Sequence, residues 1–215
     1  MKYLLGIPFA NREDLLRRAV DAVSSLWANA VIIDNSDGGL DPAAWPTEVV
    51  APHVPLTFSQ TMNLLQRMAA ERSCDSLIYM HNDAEAAPGT PERFLATLEE
   101  AVAAHRRWGV AFTHYDTLAA VNMTMVSEVG PWDTLLPQYF ADNDYYRRVR
   151  LAGYEVIETG LPVIHTEGGS NTIKSDRRRL FLNSVTFPLY EKYYTTKWGG
   201  SPGRETYRDA FNGAV

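Results

Sequence analysis

Carboxylates and a histidine recur at the ends of apolar runs, where an α/β chain could use them. Asp34 closes Val31-Ile32-Ile33, Asp83 and Glu85 follow Ser76-Leu77-Ile78-Tyr79-Met80, Asp142 and Asp144 open a helical segment, and His165 ends Pro162-Val163-Ile164. Hard oxygen ligands joined by an imidazole suit Mg2+ or Mn2+ rather than a structural zinc. A single cysteine, Cys74, excludes an internal disulfide and a cysteine-based zinc site, and reads as a small buried hydrophobe. There is no Gly-x-Gly-x-x-Gly after the first apolar run and no Gly-Lys-Ser/Thr loop. That argues against a dinucleotide dehydrogenase and a P-loop ATPase.

The elements that must hold these residues can be read from periodicity. Tyr3–Ile7 suits a buried strand, Asn11 with Asp14 three residues on suits a helix cap, and Leu16, Val20, Val23 and Trp27 share one helical face. With Val31–Asp34 as the next strand, this is a βαβ unit of parallel pairing. A helix is expected from Ser59 through Met62, Leu65 and Met68, then a strand over Ser76–Met80. Another helix starts at Thr90-Pro91-Glu92, with Leu95, Leu98 and Val102 on one face. Val110–Thr113, Ala119–Val126 and Glu155–Thr159 read as strands, and Asp142–Ala152 as a helix closed by Gly153. The expectation is an open α/β sheet in a single domain, whose ligands bind beyond the carboxyl ends of the strands, where Asp34 and Asp83 fall.

The ordered set Ile7-Pro8-x-x-Asn11-Arg12, Val31-Ile32-Ile33-Asp34-Asn35-Ser36-Asp37 and Asn82-Asp83 resembles family 2 glycosyltransferases of the GT-A fold. Further blocks agree: Val129-Gly130-Pro131-Trp132-Asp133, Phe140-Ala141-Asp142-Asn143-Asp144, Ala152-Gly153-Tyr154, Val163-Ile164-His165 and the tail Tyr193-Tyr194-x-x-Lys197-Trp198-Gly199-Gly200. The resemblance implies a Rossmann-like mixed sheet, flanked by helices, that uses a nucleotide diphosphate sugar. Residues 1–110 would form the nucleotide-sugar half, 111–170 the acceptor and catalytic half, and 171–215 a helical extension.

Residue by residue, the resemblance implies that Pro8, Asn11, Asp34, Asn63, Asn82 and Lys174 bind the donor and that Asp142 is the catalytic base. Asp83 would hold Mn2+ or Mg2+, with Glu85 supplying a second oxygen and His165 a ligand from the far side of the diphosphate. His81 stands where the family has the first acid of its metal motif, and Ala141 where it has a glutamate. Trp132, Asp133 and Asp144 would face the acceptor. Glu167-Gly168-Gly169-Ser170 would be a moving loop, with Lys174 and Arg177–Arg179 beyond it as cations for the diphosphate.

The function expected is therefore metal-dependent inverting transfer from a nucleotide diphosphate sugar, UDP-sugar first, to a hydroxyl. Alternatives are a catalytically silent nucleotide-sugar-binding module and a sugar-nucleotide pyrophosphorylase; the latter needs a glycine-rich basic loop, where Pro8-Phe9-Ala10-Asn11 stands. A saccharide acceptor ranks ahead of a protein or a hydroxylated DNA base. For DNA, Arg147, Arg148, Arg150, Arg177–Arg179, Arg204 and Arg208, interleaved with Tyr193, Tyr194 and Trp198, would supply charge and stacking. The net charge of −6 weighs against that partner. The 46% hydrophobic content of the 215 residues supports a folded core, and no apolar run approaches a membrane span. A cytoplasmic protein of the small bacterial or phage type, with a possible homo-oligomer, completes the expectation.

Overall fold

In the computed structural model, which describes residues 1–165 and 171–212, the chain forms nine strands and seven helices. They follow as β1 (Tyr3–Phe9), α1 (Glu13–Ala22), β2 (Ala30–Asp34), β3 (Glu48–Val50), α2 (Phe58–Glu71), β4 (Ser76–Met80), β5 (Ala84–Ala86) and α3 (Thr90–Ala103). Then come β6 (Trp108–Phe112), β7 (Leu118–Asn122), α4 (Met123–Val129), α5 (Ala141–Leu151), β8 (Glu155–Glu158), β9 (Val163–His165), α6 (Asn171–Lys174) and α7 (Arg177–Trp198).

Seven strands make one sheet in the order β3-β2-β1-β4-β7-β6-β8. All pairs are parallel except β4–β7 and β6–β7. The central strands are buried on both faces, so they read as continuous apolar runs. Alternate residues feed two cores. Leu5, Ile7, Ile32 and Ile78 meet Leu16, Val20, Phe94 and Leu98 of α1 and α3. On the other face Leu4, Val31 and Leu77 meet Met62, Leu65, Met125 and Val149 of α2, α4 and α5. Helix α2 approaches β1 closely enough that a Cβ on Gly6 would lie 2.4 Å from Leu65 Cδ1, which reserves that position for glycine.

The one reversed strand decides what reaches the carboxyl edge. Because β7 runs antiparallel between β4 and β6, Leu118 pairs with Met80 and the turn that precedes β7 arrives beside the end of β4. A second, two-stranded sheet crosses nearby, with Ala84 of β5 paired to His165 of β9.

Several local expectations change. Asn11 does not cap α1; the cap is Arg12 in the left-handed region (φ 63°), and the Asn11 side chain instead donates to the Thr172 carbonyl at 2.9 Å. Helix α2 starts one residue early, closed by a reciprocal cap between Thr57 and Gln60. The run Ala119–Val126 is split: β7 ends at Asn122, whose carboxamide accepts from Thr124 N at 2.9 Å and starts α4. Trp27 lies in a 3-10 turn past α1, and α3 buries Phe94, Leu98 and Ala101 while Val102 is exposed.

The carboxyl end of α7 is locked to α5 by a buried charge network. Asp144, fully buried, accepts from Lys197 Nζ at 2.6 Å, Arg148 Nε at 2.9 Å and Trp198 Nε1 at 2.9 Å. Lys197 also reaches Asp133 at 2.7 Å. Truncating one member of such a network strands the opposite charge in the core. Asp144→Ala is therefore expected to destabilise the fold by about 3–5 kcal/mol; a chemical-denaturation midpoint equal to wild type would contradict this account.

Candidate functional site

Parallel pairing brings the ends of β1, β2 and β4 to one edge, where a cleft of about 290 Å³ opens. It is lined by Pro8, Phe9 and Asn35 from the ends of β1 and β2, by His81, Asn82 and Asp83 after β4, by Asp116 and Asp142, and by Thr172, Ile173 and Arg179 of α6 and α7.

The cleft holds three possible metal ligands. Ligand atoms of His81, Asp83 and His165 all lie within 4.8 Å of one another. The β5–β9 register sets this: His165 is placed opposite Ala84, and its Nε2 comes to 3.2 Å from Asp83 Oδ1. The second carboxylate oxygen of Asp83 accepts from Asn171 N at 2.8 Å, which fixes the rotamer. Burial lowers the His81 imidazole to about 4, so it is neutral and its lone pair is free to ligate at neutral pH. Burial pushes Asp83 upward, but the hydrogen bond from His165 and the two imidazoles outweigh it and hold the carboxyl below its ordinary range. Two imidazole nitrogens and an anionic oxygen fit a divalent first-row transition metal.

Two further carboxylates line the same cleft. Asp142 sits in the first turn of α5, and Asp116 ends a 3-10 turn before β7, with φ at 48°. Behind Asp116 a hydroxyl chain runs into the core: Tyr146 Oη donates to Asp116 Oδ2 at 3.2 Å and lies 2.9 Å from Tyr79 Oη. Burial, and then the Asp142 charge, push Asp116 up to about 7 against the opposing pull of the Tyr146 hydrogen bond. Burial also raises Asp142 above the usual carboxylate range, offset in part by backbone N–H groups at the helix start. A carboxylate tuned toward neutrality is suited to accept a proton there.

Of the residues singled out in the sequence, Pro8, Asn82, Asp83, Asp142 and His165 line this one cleft, with Asn11 tied to its wall through Asn82 and Thr172. Others lie elsewhere. Asp34 is buried in its own turn, its oxygens taken by Ser36 N, Ser36 Oγ and Leu40 N, and its neighbour Asn35 faces the cleft. Asn63 is bonded both ways to the Trp132 backbone. Glu85 is outside the ligand cluster, 3.7 Å from Arg18. Lys174 is exposed and does not line the cleft, whereas Arg179 does.

The expectation of an acceptor face at Trp132, Asp133 and Asp144 departs from the structure for a physical reason. Trp132 is 2% exposed and stacked on Tyr145 at 4.3 Å, and both acids are committed to Lys197. The DNA surface is likewise altered: Tyr194 and Trp198 are buried, Tyr193 donates to Asp133, and Arg147 and Arg148 pair inward. The loop Glu167–Ser170 lies outside the described residues. Asp116 and Asn35 line the cleft without having been singled out from the sequence, and His81 joins the cluster of possible ligands; a carboxylate in the turn just ahead of a strand was the available signal for Asp116.

No family model and no curated protein matches the chain. Solved structures do. The mannosyltransferase PcManGT of Pyrobaculum calidifontis, in complex with GDP-Man and Mn2+, superposes with a TM-score of 0.56 at 13% identity, over 74% of this chain and 55% of that one. TarS 1-349 of S. aureus gives 0.58 at 9%, over 74% and 58%. Glucosyl-3-phosphoglycerate synthase of Mycobacterium tuberculosis, with Mn2+ and UDP-glucose, gives 0.54 at 14%, over 85% and 78%. The chain thus spans little more than half the length of the first two. The likeness shows the fold: the mixed seven-stranded sheet is the GT-A arrangement of these glycosyltransferases.

The two raised carboxylates make a stability prediction. Between the ordinary carboxylate value and about 7, the folded chain keeps protons that the unfolded chain has released, so stability falls as pH rises through that window. Asp116→Asn removes the penalty. It is expected to raise Tm by a few degrees over wild type at pH 8 and hardly at all at pH 4; a pH-independent offset in a melting series would contradict the assignment.

Proposed function

We propose that the protein is a metal-dependent glycosyltransferase that moves a sugar from a nucleotide diphosphate donor, UDP-sugar first, to an acceptor hydroxyl with inversion. The observation that carries this reading is one cleft, at the carboxyl edge of a GT-A sheet, lined both by the clustered His81, Asp83 and His165 and by Asp142.

Pro8, Phe9 and Asn35 are the donor's nucleoside contacts in this reading, and Asn82, which lines the same cleft, adds a polar contact to the donor. His81, Asp83 and His165 hold a divalent cation, Mn2+ in preference to Mg2+, because two of the three ligands are imidazoles. When bound, such a cation neutralises the departing diphosphate. Arg179, which lines the same cleft, adds a second positive charge over that group. Asp142 removes the proton from the acceptor hydroxyl, whose oxygen attacks the anomeric carbon from the side opposite the diphosphate. One base and a single displacement give inversion. The GDP-Man and UDP-glucose complexes of the structurally similar enzymes support a nucleotide-sugar donor, and the buried setting of Asp142 supports its role as the base.

Melting curves with UDP, GDP, dTDP and CDP, each with and without Mn2+, test the donor half of the reading. A nucleotide at 100 times its Kd adds about 2.7 kcal/mol. A metal-dependent shift with one nucleotide, abolished in Asp83→Ala, is expected; the absence of a shift with every pair would sink the proposal. For the chemical half, Asp142→Asn should lower kcat by about 10²- to 10⁴-fold while leaving the nucleotide-induced shift intact.

A further inference from the structure

A second hollow, of about 300 Å³, shares Asp116 and Asp142 with the donor cleft and is otherwise bounded by Phe112, Asn143, Tyr146, Arg150, Gly203 and Glu205. A reacting hydroxyl must lie within reach of Asp142 and of the donor, and the two hollows meet at that carboxylate.

Its walls are chemically divided. Phe112, half-buried, lines it and is backed by the buried Tyr146 ring, stacked on it at 5.5 Å and 8°, so the aromatic side of the hollow is held rigid. Glu205 is spoken for, accepting from Tyr194 and pairing with Arg147 at 3.5 Å. Arg148 turns inward to Asp144. Arg150, at the mouth, is exposed and forms no ion pair among the described residues. Its guanidinium is the cation this hollow can offer a ligand, and its fork matches a phosphate or a carboxylate. Asp116 and Asp142, which also line the hollow, disfavour an anion beside them, so a ligand with one charged and one hydroxylated end is favoured with its charge at Arg150 and its hydroxyl at the carboxylates.

We propose that this hollow is the acceptor subsite and takes a small hydroxylated molecule, such as a monosaccharide, that carries an anionic group bound by Arg150. The assignment rests on the glycosyltransferase reading for its purpose, but the binding itself is testable without turnover.

Saturation-transfer NMR on the protein with UDP and Mn2+, using glucose 6-phosphate and methyl glucoside as probes, reads it directly. Glucose 6-phosphate is expected to bind more tightly than methyl glucoside. Arg150→Gln should weaken it about tenfold, and Lys192→Gln, an exposed cation elsewhere on the surface, should not. Both variants should keep UDP affinity within about twofold, which shows that they are folded. Equal binding of the two sugars, no binding of either with UDP bound normally, or equal effects of the two substitutions would each overturn the subsite. Failure of UDP to bind while glucose 6-phosphate still depends on Arg150 would instead sink the donor reading and leave the anion subsite standing.

Discussion

A carboxylate buried at the end of a strand must have its charge met, and the way Asp83 meets it organises the whole carboxyl edge. One oxygen takes the His165 ring from β9 and the other the Asn171 amide at the start of α6, so a single side chain just past β4 is tied to two groups more than 80 residues further along the chain. The β5–β9 pairing supplies the register, and burial supplies the need for partners. The same arrangement that meets the buried charge gathers three side chains whose ligand atoms lie within 4.8 Å of one another.

Asp142 and Asp144 show how two similar acids come to opposite fates. Two residues apart on a helix, their side chains point about 200° apart around the axis. One faces the cleft and the other faces the core, where Lys197, Arg148 and Trp198 enclose it. The same network anchors the end of α7, and α7 in turn delivers Arg179 at its other end to the cleft. The buried lysine thus helps to fix the helix that carries Arg179.

Most of the sheet was legible because parallel strands buried on both faces leave continuous apolar runs, as in Val31-Ile32-Ile33 and Leu77-Ile78-Tyr79. The turn from β7 into α4 was not, since the apolar run continues through it and only the Asn122 cap marks the change. Asp83, Asp142 and His165 were legible as strand-end or helix-start residues in ordered blocks. Asp34 misled because a strand-end acid followed by Asn-Ser-Asp-Gly-Gly satisfies a turn as readily as a ligand, and here three turn donors claim it. His81 read as a missing acid; whether an imidazole can replace a carboxylate depends on the third dimension, namely on how close β9 brings His165. Asp116 carries no motif at all, because its place beside Asp142 is created by the reversal of β7.

Both carboxylates shared by the two hollows stand next to, or on, backbone that side chains rarely adopt. Asp116 has φ 48°, and Phe140, the cap of the helix that opens with Ala141-Asp142, has φ 64°. Left-handed geometry at non-glycine residues costs about 1–3 kcal/mol each. A fold retains such a cost where its surroundings over-determine the conformation, and here they do: Tyr146 holds the Asp116 carboxyl, and Asp144, one turn on from Phe140, is pinned in the core. Two strained positions and a raised pair of carboxylates thus meet where the two hollows share their lining. Burial there opposes ionisation of both acids together, which holds Asp116 protonated toward neutral pH, and the hydrogen bond from Tyr146 fixes the carboxyl that carries the proton.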